Sequence, residues 1–225
     1  MTKRLLLVIL FAAAVGLADD GASVAFGRYL SGLNSADPWS LETVEIDAAL
    51  PRLAEKGKLR AIRRMLPHCK PEYEMVEMTG DGTVKRQLLV RYLSEEVRTA
   101  AIPPTSVAVT PANYKFSYKG PVQHGDGLVY AFLITPRKKR EGLIKGELWL
   151  DESGVAVHES GYLVKNPSIF VKRMYVTREL VAPSGLNPVR VTNLALDVRG
   201  IGRAELNVQE RPCSNTCTVI SSDRE

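Results

Sequence analysis

Leu143-Ile144-Lys145-Gly146-Glu147-Leu148-Trp149-Leu150-Asp151 is followed by Glu152-Ser153-Gly154, and that segment runs on to Leu163. Ile144, Leu148 and Leu150 fall on one side of a two-residue repeat, with Lys145, Glu147 and Asp151 on the other. Side chains alternate across a strand, so this is a strand with one dry and one wet face. Glu-Ser-Gly is a turn, and it is far too short for a parallel crossover of a dozen residues or more. The next strand, Gly154 to Leu163, therefore returns antiparallel to the first.

The same grammar extends in both directions. Tyr114–Tyr118, Leu128–Thr135, Ile169–Val181, Val189–Arg199 and Arg203–Gln209 all read as strands. They are punctuated by Gly125-Asp126-Gly127, Pro136 with its basic neighbours, Asn166-Pro167, Pro183-Ser184-Gly185 and Gly200-Ile201-Gly202. Apolar sets recur on one register: Val155 and Val157, Met174 and Val176, Leu194, Leu196 and Val198, then Ala204, Leu206 and Val208. A run of strands without helical interruption, dry on one side, predicts a large curled antiparallel sheet whose apolar face needs a cover.

The N-terminal half supplies that cover. Val24, Phe26, Tyr29, Leu30 and Leu33 recur at helical spacing within 21–33, before the polar cluster Asn34, Ser35, Asp37 and Pro38. Val84, Leu88, Leu89, Tyr92 and Leu93 form a second helical stripe within 83–98, stopped by Pro103-Pro104. Between them Thr43–Ala48 alternates as a strand limited by Pro51, and Tyr73–Met78 is strand-like up to Gly80-Asp81-Gly82. Leu59–Leu66, with Arg60, Arg63 and Arg64, fits a helix face as well as a strand. The expected fold class is α+β: a large curled antiparallel sheet, an incomplete barrel, with two or so helices on its apolar face. Helices of that length span only about 20–24 Å. Beneath them lies either a cavity or an ordinary packed core.

Met1-Thr2-Lys3-Arg4 precedes an unbroken small and apolar run, Leu5–Ala18. Positive charge, a short apolar run and small residues at Gly16 and Ala18 predict an export signal cut before Asp19. The run is shorter than the roughly 20 residues a membrane span needs. Residues 1–18 are accordingly expected to be a signal peptide, 19–212 a single domain, and 213–225 a tail with a cysteine pair, working in the periplasm. The formal net charge of +5 falls to +3 without Lys3 and Arg4, and the one basic run, Arg137-Lys138-Lys139-Arg140, has no interleaved aromatics. Nucleic acid is not the expected partner. That run reads as a solvated loop, with contact to anionic head groups as the other reading.

The chemistry of a catalytic site is not evident. Among the histidines, His158 shares the wet register with Ser160, and His124 lies in a glycine-rich turn. No motif gives either one an orienting partner, and Gly-x-Ser-x-Gly, a Walker loop and His-Glu-x-x-His are all missing from the sequence. Trp149 falls on the wet register beside Lys145 and Glu147. Cys213 and Cys217 are close enough in sequence to form a disulfide, which leaves Cys69 over; His68-Cys69 with a C-x3-C pair fits no common zinc spacing. The expectation is a non-enzyme without cofactor or metal.

The segment Tyr130-Ala-Phe-Leu-Ile-Thr-Pro-Arg-Lys-Lys-Arg-Glu-Gly-Leu-Ile-Lys-Gly-Glu-Leu-Trp-Leu-Asp151 resembles a recurrent stretch of bacterial LolA-like, outer-membrane lipoprotein-sorting proteins. A strand ends in Thr-Pro and basic residues, and a strand ending in Trp-hydrophobic-Asp follows. Gly161-Tyr-Leu-Val-Lys-Asn-Pro-Ser168 with Ile169-Phe-Val-Lys-Arg173, and Asn113-Tyr114-Lys115-Phe116, look like further parts of the same pattern, which spans about residues 81–210. The resemblance implies an incomplete barrel with a helical lid over a cavity for lipoprotein acyl chains. On that implication the ligands are a lipid or lipid-modified protein, and the cavity is lined by Leu148, Leu150, Met174, Val176, Leu194 and Leu196. The competing expectation is an envelope protein-interaction or sensing module with the same fold and a filled core, and peripheral membrane contact accompanies either reading.

Overall fold

The computed structural model describes residues 20–33, 41–66, 70–181 and 188–213. Among these, ten strands form one antiparallel sheet: β1 (Leu41–Leu50), β2 (Glu55–Leu66), β3 (Lys70–Gly80), β4 (Tyr114–His124), β5 (Gly127–Pro136), β6 (Ile144–Leu150), β7 (Ala156–Leu163), β8 (Val171–Val181), β9 (Val189–Val198) and β10 (Gly202–Pro212). The order across the sheet is β3-β2-β1-β10-β9-β8-β7-β6-β5-β4. Two meanders are thus stitched together by one long-range pairing. β4 to β10 follow one another in space as in sequence, and β1 then closes onto β10, Ile46 opposite Val208 and Ala48 opposite Leu206. The sheet stays open, with β3 and β4 at its edges.

The segment 59–66, ambiguous in sequence, is the second half of β2. Leu59, Ala61 and Arg63 point to the covered face while Arg60 and Arg64 stay in solvent. Its pairing with β1, Leu59 opposite Ile46 and Ala61 opposite Val44, settles the choice by burying the odd-numbered side chains.

Helix α1 (residues 20–32) and the helical run α2 (Gly82–Val84), a π-helical stretch (Lys85–Leu89) and α3 (Val90–Thr99) lie on the same side of the sheet, over opposite ends. The short α4 (Pro104–Val107) follows. The α2–α3 run buries Val84, Leu88 and Leu89 against β1, β2 and β10, with Tyr92 and Leu93 packed at the rim. Gly57 allows the close approach: a Cβ there would stand 2.9 Å from Val84 Cγ1 and 3.4 Å from Leu89 Cδ1. The wide π turn presents Leu88 and Leu89 together to the sheet.

α1 buries only part of the stripe its large residues suggest, together with two alanines. Ala22 and Ala25 are fully buried, Phe26 and Tyr29 pack beside them, and Val24 and Leu33 face solvent. Small residues let the helix sit low on Tyr130, Phe132, Leu148 and Leu150. Phe26 meets Phe132 and Phe116 at ring distances of 5.3 and 4.7 Å, an arrangement favoured by ring quadrupoles.

β6 and β7 approach each other closely at a pair of glycines. Gly146 pairs with Gly161, and a Cβ on Gly146 would fall 1.9 Å from the Ser160 carbonyl oxygen. Two facing glycines let the strands coil more sharply than side chains permit.

Two of the four basic residues in 137–140 are fasteners. Arg137 Nε donates to the carbonyls of Pro111 and Tyr114, and Arg140 donates to Asn113 Oδ1 at 2.6 Å. Buried Asn113 in turn donates to Thr105 and Ala108. Lys138 and Lys139 are the solvated pair.

Candidate binding face

Cross-strand partners share a face, so the register lets the covered side be read strand by strand. One line runs Leu59–Ile46–Val208–Thr192–Arg178–Glu159–Leu148–Phe132–Tyr118. It is apolar at both ends and polar in the middle. The apolar ends belong to two separate clusters, one under α2–α3 and one under α1. β8 and β9 lie between them.

The six residues expected to line a cavity all occupy this face, in two different states. Leu148 and Leu150 are completely enclosed in the α1 cluster. Val176 is buried, whereas Met174, Leu194 and Leu196 are half-buried. Leu194, Leu196 and Val198 border the α2–α3 cluster, and Met174 sits opposite Leu196. The accessible apolar strip is therefore Met174, Leu194, Leu196 and Val198, on the strands between the two helical covers.

Beside that strip runs a set of charges that alternation alone did not bring out. Arg178 pairs with Glu159 at 3.0 Å, and its side chain is 43% exposed. Tyr92 and Glu210 also act on it from the α3 side. Burial opposes the Arg178 charge, but Glu159 outweighs it and raises its proton affinity. Arg190 contacts Glu210 at 3.2 Å, and Glu210 accepts from Arg63 at 2.6 Å. Arg63 also pairs with Glu42 and lies 3.5 Å from Glu96 of α3. Burial works against its charge too, and Glu210 and Glu42 more than compensate. Tyr73 and Tyr92 both donate to Glu96, at 2.6 and 3.0 Å. Burial and then that carboxylate push both phenols upward. On the α1 side burial, then Glu159, raises Tyr29, whose hydroxyl donates to Val109.

The wet face has its own features. Trp149 stacks on His158 at 4.3 Å, with His124 edge-on at 5.6 Å. The indole donates to Glu147, and His158 Nδ1 lies 3.2 Å from Glu179. His124, His158 and Trp149, separate in sequence, are thus one aromatic group. Further along this face is an open groove of about 640 Å³ with mixed walls, Asp47, Lys58 and Asn207 alternating with Ala49, Tyr175 and Ala195. Among the described residues no group of three or more His, Cys, Asp or Glu side chains is placed to hold a metal.

Cys213 is disulfide-bonded, with its amide on the Leu41 carbonyl at 2.8 Å. Cys69 and Cys217, either of which is a candidate partner, lie outside the described residues, as do His68 and the predicted export signal. Among the described residues no helix is long and apolar enough to cross a membrane. No family model, curated protein or solved structure matches the chain.

Proposed function

We propose that the protein is an exported binding protein that holds the acyl chains of a lipid or lipid-modified protein, as the LolA-like resemblance in its sequence implies. The observation that carries this reading is the half-buried strip Met174, Leu194, Leu196 and Val198, lying between two closed hydrophobic clusters. A chain laid along it joins the two clusters and gains about 0.8 kcal/mol per methylene removed from water. Arg178 and Arg190 border the strip and suit an anionic head group at its polar margin. The ligand space in this reading is a trough between helices, with Leu148 and Leu150 as its packed wall.

Full burial of Leu148 and Leu150 favours a second reading, an envelope protein-interaction module whose interior is filled by its own side chains. Native mass spectrometry of protein purified from the periplasm, followed by organic extraction, separates the two. A bound mass that extracts as lipid is the expected result. A clean ligand-free mass, with no uptake of a fluorescent fatty acid, overturns the carrier reading and leaves the interaction module.

A further inference from the structure

The turn between β7 and β8 holds the two most exposed large apolar side chains among the described residues, and they are neighbours: Ile169 at 80% and Phe170 at 53%. Neither folding nor the acyl-binding strip uses them. The turn is braced in this shape by four hydrogen bonds. Asn166 Nδ2 donates to the Lys172 carbonyl at 2.8 Å, Phe170 N to Ser168 Oγ and Val171 N to Ser168 O, both at 3.2 Å, and Arg199 N to Phe170 O at 2.8 Å. An apolar tip held outward costs the isolated molecule hydrophobic free energy and gains something only when it meets a partner.

The surroundings specify that partner. Lys165, Lys172, Arg173 and Arg199 are exposed around the tip, and none of them is in an ion pair among the described residues. Arg173 lies over the Tyr162 ring at 4.9 Å. The same end of the sheet carries Arg52 with half-exposed Leu53 in the β1–β2 turn and Lys138 with Lys139 in the β5–β6 loop. The opposite end carries Asp126, Asp151 and Glu152 in its turns. Cations thus gather around the apolar tip at its end of the sheet, with Asp81 and Asp197 among them.

We propose that this end docks the protein onto an anionic lipid surface, with Ile169 and Phe170 inserted between head groups and the surrounding cations on the phosphates. A narrow convex tip suits a soft surface that closes around it. A stable protein interface needs about 800 Å² per partner, which one turn does not offer. Apolar side chains ringed by Lys and Arg are the composition that favours anionic membrane interfaces. The docking stands on this end alone, independently of the acyl-binding reading. If both hold, Val171, paired with Val198, leads from the tip to the strip.

Flotation of the mature protein with vesicles tests the proposal, using phosphatidylcholine alone and phosphatidylcholine mixed with phosphatidylglycerol. The protein is expected to float with the anionic vesicles, stay behind with the neutral ones, and release as salt is raised. Ile169→Ser with Phe170→Ser is expected to weaken partition by about tenfold or more, and Lys165→Ser with Lys172→Ser by about fivefold per cation. All four side chains are exposed, so far-UV circular dichroism and fatty-acid uptake should match the parent. No flotation with anionic vesicles, equal flotation with neutral ones, or partition of the Ile169/Phe170 variant within twofold of the parent overturns the proposal.

Discussion

Replacing Arg63 by Met tests whether the charged cluster on the covered face acts as a unit. The guanidinium is 11% exposed and neutralises Glu42 and Glu210, whose side chains are 15% and 9% exposed, with Glu96 3.5 Å away. Methionine fills much of the same volume, so cavity formation is a small part of the effect. What remains is a set of enclosed carboxylates whose one direct ion-pair cation among the described residues is Arg190, itself more than half exposed, with Arg178 farther off. Breaking a buried pair by removing one partner costs about 3–5 kcal/mol. For a domain of this size, each kcal/mol lowers Tm by roughly 2–4 °C, so a fall of about 6–20 °C is expected. Urea unfolding followed by far-UV circular dichroism at pH 7 measures the loss. A loss below about 1 kcal/mol would refute the reasoning and class the cluster with solvent-screened surface pairs.

Gly146→Ala places a methyl group against the Ser160 carbonyl and Gly161 backbone; it should destabilise by about 3 kcal/mol, and an unchanged urea midpoint would contradict the close approach. Alkaline stability should be poor. Tyr29, Tyr73 and Tyr92 stay protonated in the fold beyond the pH at which unfolded tyrosine ionises. Their stabilisation is whole below about pH 10 and drains above it, by up to ~1.4 kcal/mol per pH unit for each phenol; a flat unfolding free energy between pH 9.5 and 11 would count against it. On the proposed binding face, Leu196→Asp should abolish fatty-acid uptake at a stability cost of about 1–3 kcal/mol, since the side chain is only partly covered where it packs on the α2–α3 cluster. Leu148→Ala, at an enclosed site, should cost about 2–5 kcal/mol. Titration with a fluorescent fatty acid alongside thermal melts separates the two, and uptake preserved in Leu196→Asp would remove the strip from the binding site.

Strand-by-strand structure was legible wherever it is local. The dry and wet registers of β6, the turns at Glu152-Ser153-Gly154 and Gly200-Ile201-Gly202, and the helical stripe from Val84 to Leu93 follow from spacing alone. What escaped depends on partners distant in sequence. Glu159 occupies a dry-register position between His158 and Ser160, but its meaning needs Arg178 on the next strand. Arg63 looks like one more basic residue of an ambiguous segment until Glu42, Glu96 and Glu210 converge on it from three other elements. α1 hid part of its packed face because Ala22 and Ala25 carry little hydrophobic signal, while exposed Val24 and Leu33 carry much. For the covered face, the sequence placed Leu148, Leu150, Met174, Val176, Leu194 and Leu196 on one side of the sheet, where the register has them. It could not divide that side into closed clusters and an accessible strip, because the division depends on where the helices land.

The pairing of β1 with β10 has a consequence for how the molecule is made. Residues 41–50 find their sheet partner at residues 202–212, the last strand of the order to leave the ribosome. β4 to β10 can assemble by successive hairpins, each closing a short loop, whereas β1 to β3 can join only after the chain has been made as far as β10. Until then their backbone edges stay open, and the α2–α3 helices have only part of the surface they cover. The late step is thus a single docking event that completes the α2–α3 cluster at a stroke. A chain truncated before β10 loses far more than one strand: the first meander is left with no sheet to join.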